Sequence, residues 1–341
     1  MRDQGTILVP DSPAERSPVT CRICGSGSVR NFLAREMMYG LREPFEYLEC
    51  QACGCVQIAA YPDDIARHYP DSYHCGTASR TAATATLGEW LKDMVKSWLL
   101  RIPALRAAWL RAPSTRAWLA RNPLLAHYLD RLDNSEARIL DVGCGEGLCL
   151  QHLRAIGYRN AEGVDPFIEK NLMYRGRRLV TKAKLSDMTG SYDCISFHHS
   201  LEHMPDQAGV LRTARELLAP GGILIIRIPV AGGAAWRTYR ENWVQLDPPR
   251  HYYLHTEGSF RLLADQCGLA VRSIIYDSDG LQFWGSELYV RDIPLRDPRS
   301  PSQGSQDIFS AAELVEFNRR AAVLNAANDG DQIVAVLAAR A

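Results

Sequence analysis

Two short repeats, Cys21-Arg22-Ile23-Cys24-Gly25 and Cys50-Gln51-Ala52-Cys53-Gly54, form CxxCG knuckles with 25 residues between Cys24 and Cys50. Each knuckle needs a tight turn that aims two thiolates at one ion, and the following glycine tolerates the positive φ such turns require. Four thiolates suit a closed tetrahedral zinc site. The predicted ligands are therefore Cys21, Cys24, Cys50 and Cys53, with a hairpin filling the gap and Cys55 as a substitute ligand. Four unrelated buried thiols would leave the repetition unexplained.

A second chemistry lies in Ile139-Leu140-Asp141-Val142-Gly143-Cys144-Gly145-Glu146-Gly147. A buried strand runs here into glycines that let the chain turn sharply and bring backbone amides close to a ligand at a helix N-terminus. The next strand ends in Asp165, about 20 residues on. An open α/β sheet places a carboxylate there for ribose hydroxyls. A dehydrogenase fingerprint would read GxGxxG, and this turn reads GCGEG.

The third candidate is His198-His199-Ser200-Leu201-Glu202-His203 after a later strand. His203 is the expected general base because an unperturbed imidazole titrates near neutrality, and His251 is its rival. Glu202 joins them as a candidate catalytic residue, or caps the helix that begins near Pro205. The insert Trp243–His255 holds Pro248 and Pro249 beside Arg250, His251, Tyr252 and His255, which would offer donors to hydroxyls or an anion. The alternative is that its aromatic residues only pack it onto the domain.

The elements that must position these groups alternate. Strands are expected at 139–142, 161–166, 192–197, 221–229, 269–276 and 281–290, with helices near 147–157, 206–219 and 257–267. Alternation of this kind argues for a mostly parallel α/β sheet covered on both faces. The chain divides into a disordered tail (1–20), a zinc-binding ribbon and linker (21–79), a helical lid segment (80–135), a Rossmann-like domain (136–290) and a C-terminal helical extension (291–341). Within 80–129, eight Arg or Lys stand against Glu89 and Asp93, punctuated by Trp90, Trp98, Trp109 and Trp118. A helical lid with solvated arginines is the preferred reading, and peripheral membrane contact is the competing one.

Composition sets the bounds. The 341 residues carry 39 Lys and Arg against 39 Asp and Glu, so global charge gives no reason to expect nucleic acid as partner. The N-terminus lacks a basic segment followed by an apolar stretch, so a cytoplasmic protein is expected, with its 10 cysteines as metal ligands or buried thiols.

The motifs ILDVGCGEG, Gly163-Val164-Asp165, YDCISFHHSLEHMPD and Leu217–Leu224 occur in order over residues 137–290, and together they closely resemble the class I S-adenosylmethionine-dependent methyltransferase family. The resemblance implies a seven-stranded sheet and S-adenosylmethionine as cofactor. Gly143 and Gly145 would pass beneath its methionine part, Gly147 would also bind the cofactor, and Asp141 would sit near its amino group. Asp165 would accept both ribose hydroxyls, Leu185 and Ser186 would lie near the adenine, and His198 would line the pocket. Some family members carry Glu-x-x-Glu-His as cation ligands; the similar set here would be His199-x-x-Glu202-His203 with His251, in which the first histidine departs from the oxygen ligands that magnesium prefers. The ribbon and the insert resemble a bacterial subgroup associated with glycan and sugar modification, which implies O-methylation of a saccharide or other small-molecule acceptor. Rival readings are an RNA methyltransferase gripping RNA with the zinc ribbon, and a non-catalytic cofactor-binding partner protein.

Overall fold

The computed structural model describes residues 20–69, 95, 99, 102–120, 122–129, 131–132 and 134–340. The expectations for the tail before residue 20, for Trp90 and Trp98, and for most of the segment 70–101 fall outside the described residues.

Two sheets organise the chain. The smaller is antiparallel, in the order β1 (Val29–Arg35), β2 (Pro44–Cys50), β3 (Val56–Ile58) and β10 (Tyr253–Leu254). The β1–β2 hairpin fills the gap between the knuckles. Strand β10 comes from the far end of the sequence and pairs with β3 at Tyr253 opposite Gln57.

The larger sheet has the order β11 (Leu269–Tyr276), β12 (Gln332–Ala339), β9 (Leu218–Pro229), β8 (Tyr192–His198), β4 (Ile139–Val142), β5 (Ala161–Val164), β7 (Arg177–Thr181) and β6 (Leu172–Tyr174). The run from β9 to β7 is parallel, while β12 is antiparallel to both its neighbours. All four residues of β4 are buried, as a strand covered on both faces requires. The short β6 adds an antiparallel hairpin at one edge, giving eight strands where seven were expected.

Helices α1 (Pro103–Arg111), α2 (Pro113–Ala120) and α3 (Pro123–Leu129) each begin at a proline, whose missing N–H costs nothing in a first turn. Trp109 and Trp118 pack on the core cluster that contains Ile139 of β4 and Ala161 of β5. Helices α4 (Leu148–Ala155), α5 (Gln207–Glu216), α6 (Ala234–Tyr239) and α7 (Glu257–Gln266) follow. Asp206 caps α5 by accepting from the Gly209 N–H, and Thr256 caps α7 in a capping box with Ser259.

One expected strand is a helix. Residues Leu281–Val290 form α8, which buries Phe283, Gly285, Ser286, Leu288 and Tyr289. Its aromatic content suggested a strand, but Gly285 lets the helix lie close against Val244, and Ser286 Oγ accepts from the Val244 N–H at 3.0 Å. The strand it was meant to supply is β12, preceded by α9 (Ala311–Ala326). The last residues are therefore not a helical extension. The sequence QIVAVLAA is buried over six successive positions and completes the sheet between β9 and β11.

Candidate active site and cysteine centre

The glycine turn leaves β4 with φ of +71° at Gly143 and +53° at Gly145, values that a side chain resists. A Cβ on Gly143 would stand 2.6 Å from Ser200 Cβ, so the turn packs directly under the segment that follows β8. Gly147, also at positive φ, precedes the first residue of α4. Asp165, just past β5, is buried; its Oδ2 accepts from the Gly145 N–H at 2.8 Å and its Oδ1 from the Phe167 N–H at 2.8 Å. Each oxygen keeps a free lone pair for a further donor.

Asp141, at β4, is 3% exposed. Burial pushes its carboxyl up to about 7, against the hydrogen bond from Ser196 Oγ at 2.8 Å. The Tyr128 hydroxyl on α3 donates to Ser196 Oγ and lies 2.7 Å from His198 Nε2. Burial, reinforced by the charge of Arg227, pushes the His198 imidazole down to about 3, so it is neutral. Leu185 is buried and Ser186 exposed in the turn Leu185–Asp187. The structure thus brings Asp141, Gly143, Gly145, Gly147, Asp165 and His198 to the carboxyl edge of the parallel strands.

The histidine segment lies beside them. Glu202, His203 and His251 each offer one ligand atom within 4.8 Å of the others. His203 Nδ1 is 2.9 Å from the Arg250 carbonyl, and His251 Nδ1 is 2.7 Å from the Gln245 carbonyl. A carbonyl only accepts, so the neutral form of each ring holds its proton on Nδ1 and its lone pair on Nε2; the Tyr69 hydroxyl also lies 3.1 Å from His203 Nδ1. Such a ring can take a proton or bind a cation. Burial, with the neighbouring His203, pushes His251 down to about 4. Burial alone would raise the Glu202 carboxyl, but the hydrogen bond from His199 and the imidazoles around it hold it at about 2. Glu202 Oε2 is buried without a hydrogen-bond partner. His199 Nε2 accepts from Arg227, which is itself paired with Asp277.

Two residues of the insert do not face a ligand. Arg250 is fully buried in ion pairs with Asp247 and Glu36. His255 is buried and bonded to Ser259 and Gln207. The sequence reading missed Ser196, Tyr128 and Glu36. Ser196 alone could be expected, as the polar position within the apolar stretch Cys194–Phe197 that pairs opposite Asp141.

Cys21, Cys24, Cys50 and Cys53 form one group, with Sγ atoms 3.7 Å apart for Cys21–Cys53 and 3.5 Å for Cys24–Cys50. Thiolates 2.3 Å from a tetrahedral zinc are about 3.8 Å apart, so the set fits that ion. Cys55 is buried outside the group, its thiol directed to the Val56 carbonyl.

The sheet order, with an antiparallel strand inserted next to β9, is that of the Rossmann-like class I methyltransferases. Residues 117–274 match the family described as a methyltransferase domain. Curated relatives include the ubiquinone biosynthesis O-methyltransferase of Xanthomonas oryzae pv. oryzae, 32% identical over 143 residues that make up 38% of this chain and 60% of that protein. The Pseudomonas aeruginosa protein of that name is 29% identical over 113 residues, 30% of this chain and 48% of its own. The chain thus spans about 60% or less of the length of these relatives. Similar solved structures include a complex of the Haloferax volcanii Trm112 methyltransferase activator with a methyltransferase, at TM-score 0.44 and 16% identity over 69% of this chain and 98% of that one. Another is an S-adenosylmethionine-dependent methyltransferase from Archaeoglobus fulgidus, at TM-score 0.40 and 18% identity over 66% of this chain and 94% of that one. The likeness to a methyltransferase domain is thus carried by residues 117–274. The cysteine group and β12 lie outside the matched residues.

Proposed function

We propose that the chain transfers a methyl group from S-adenosylmethionine to a hydroxyl of a saccharide or other small-molecule acceptor. The observation that carries this reading is the meeting, at one edge of the sheet, of the Gly143–Gly147 turn and Asp165 with the two Nε2 lone pairs of His203 and His251. When bound, S-adenosylmethionine supplies an already activated methyl on its sulfonium. Asp165 holds the ribose hydroxyls and Asp141 faces the amino end. His203 Nε2 takes the proton from the acceptor hydroxyl, with Nδ1 anchored on the Arg250 carbonyl. Orientation rather than covalent catalysis is the protein's part. The names of the curated relatives support an oxygen acceptor of small size. The saccharide class rests on the resemblance of the insert and ribbon.

The four cysteines hold a structural zinc. Their ribbon is joined to the methyltransferase domain through β10, which supports a scaffold in preference to an RNA grip. Trp109 and Trp118 face the core, which supports a lid in preference to a membrane-surface role. No helix among the described residues is long and apolar enough to cross a membrane.

A second reading has one observation in its favour. The unpartnered Glu202 Oε2 beside two imidazole lone pairs is a donor set for a divalent cation, which would then activate the acceptor hydroxyl in place of the His203 base. Purified protein given methyl-labelled S-adenosylmethionine and fractionated cell extract tests the function. Label in saccharides or small hydroxylated molecules supports the proposal, and its loss on chelation, with restoration by one divalent ion, selects the second reading. Label in RNA overturns the acceptor assignment.

A further inference from the structure

Arg250 stands in the insert among residues expected to meet the acceptor, yet none of its surface is exposed. Its guanidinium spends its donors on four acceptors. Nε and Nη2 reach the two Asp247 oxygens at 2.9 and 2.6 Å, Nη2 also reaches Glu36 Oε1 at 2.8 Å, and Nη1 reaches the His68 carbonyl at 3.0 Å. Glu36 and His68 belong to the ribbon side of the chain, just after β1 and in the turn Ile65–His68. Glu36 is buried too, and its carboxylate also accepts the N–H groups of Tyr39 and Leu41. Asp247 stands at φ +40°, a conformation unfavourable for a residue with a side chain, so the turn it begins needs outside support.

The backbone of Arg250 faces the other way. Its carbonyl accepts from His203 Nδ1 at 2.9 Å, and the Tyr69 hydroxyl lies 3.1 Å from the same nitrogen. The ribbon grips the neighbouring residues as well. Tyr47 donates to the His251 carbonyl, the Ile58 N–H to the Tyr252 carbonyl, and the Tyr252 N–H to the Glu202 carbonyl. Ser200, in the same segment as His203, packs on Gly143, but the hydrogen bonds that hold Asp165 to the glycine turn come from the turn itself and from Phe167.

We infer that Arg250 is a positioning residue through which the cysteine ribbon sets the orientation of His203, so that the ribbon is part of the acceptor half of the active site and not a separate binding module. The inference rests on the proposed methyl transfer for its kinetic consequence, but its structural content stands apart from that reading. A buried cation between two carboxylates is costly to delete, because both anions are left uncompensated. The cost falls on the 247–251 turn and on the imidazole that it carries. The cofactor half, built from β4, β5 and their loops, has its own hydrogen bonds and is expected to stay intact.

The test uses the full chain with S-adenosylhomocysteine as the cofactor probe. Wild type, Arg250→Met, Arg250→Lys and Glu36→Gln are compared by hydrogen-exchange mass spectrometry and by probe binding. In Arg250→Met, exchange over 199–204 and 243–255 should rise about tenfold or more while 139–147 stays protected. Probe affinity should stay within about threefold, an energy of under 1 kcal/mol. Methyl transfer should lose kcat with little change in the KM for the cofactor, and Arg250→Lys should recover part of it. Glu36→Gln keeps the Asp247 pair and should show the same pattern at smaller size, so it carries the comparison if Arg250→Met does not fold. Unchanged exchange over 199–204, or loss of probe affinity in step with it, overturns the inference. Failure of the methyl-transfer reading shows differently, as wild type that binds the probe and transfers no label.

Discussion

Asp141 makes a prediction in which stability and cofactor affinity move in opposite directions. Its carboxyl is buried and stands at about 7 in the fold against an ordinary 3.8. Each pH unit between two titrations is worth about 1.4 kcal/mol, so keeping this group ionised costs the empty protein on the order of 4 kcal/mol. Because the folded value is raised, the stability contribution is fully present below pH 3.8 and is lost as pH rises to about 7. Asp141→Asn keeps an oxygen to accept from Ser196 and removes the titration. The stability difference, variant minus wild type, should therefore climb by about 1.4 kcal/mol per pH unit between pH 4 and 7 and then level off. Urea melts of both proteins without cofactor, at pH 5 and pH 8, should differ in this quantity by on the order of 3 kcal/mol. In the proposed placement of the cofactor, its cationic amino end would face this buried charge. The same substitution should thus weaken S-adenosylmethionine binding at pH 8 by about 1.5–3 kcal/mol, the range for a hydrogen bond to a charged group. A stability difference that ignores pH, or a variant that binds the cofactor as tightly as wild type, would refute the reasoning.

Other substitutions separate the parts of the account. His203→Ala should lower kcat by about 10²–10⁴ and leave calorimetric binding of S-adenosylhomocysteine unchanged; unaltered turnover removes the proposed base. Gly143→Ala combines a positive φ with a clash on Ser200, so cofactor binding and melting temperature should both fall, with strain of about 1–3 kcal/mol. Wild type should carry one zinc per chain by plasma mass spectrometry and Cys50→Ser should lose it; a metal-free wild type purified under reducing conditions would contradict the cysteine centre. Phe260 is fully buried on α7, and Phe260→Ala should cost about 3–5 kcal/mol in a denaturant melt without moving the pH profile of the reaction.

The parts of the fold written in the sequence were those with a local cause. The turn after β4 was legible because only glycine suits its φ values, and Asp165 because strand and carboxylate recur at a fixed interval. The knuckles were legible because their repetition has one economical explanation. Strand β12 was not, because an Ala-rich apolar run after a helix has no period that separates strand from helix. Helix α8 was misread for a related reason: its aromatic residues favour a strand, and the contact that decides for a helix, Gly285 against Val244, joins residues far apart in the chain. Arg250 looked like a ligand for the acceptor because a charged residue in an insert is usually solvated. Its partners Glu36 and His68 lie some two hundred positions away, and only the ribbon's docking through β10 brings them together.

The proposed activity is an acceptor-dependent methyl transfer at the edge formed by Asp165 and the glycine turn. Its most direct measurement is the amount of S-adenosylhomocysteine formed, by mass spectrometry, when wild type and Asp165→Ala are given S-adenosylmethionine with and without fractionated cell extract. The account predicts product only with extract and only in wild type, with the variant losing cofactor affinity by about tenfold or more for two lost ribose hydrogen bonds. Equal product from both proteins, or none from wild type with every fraction while the cofactor is bound, would contradict it.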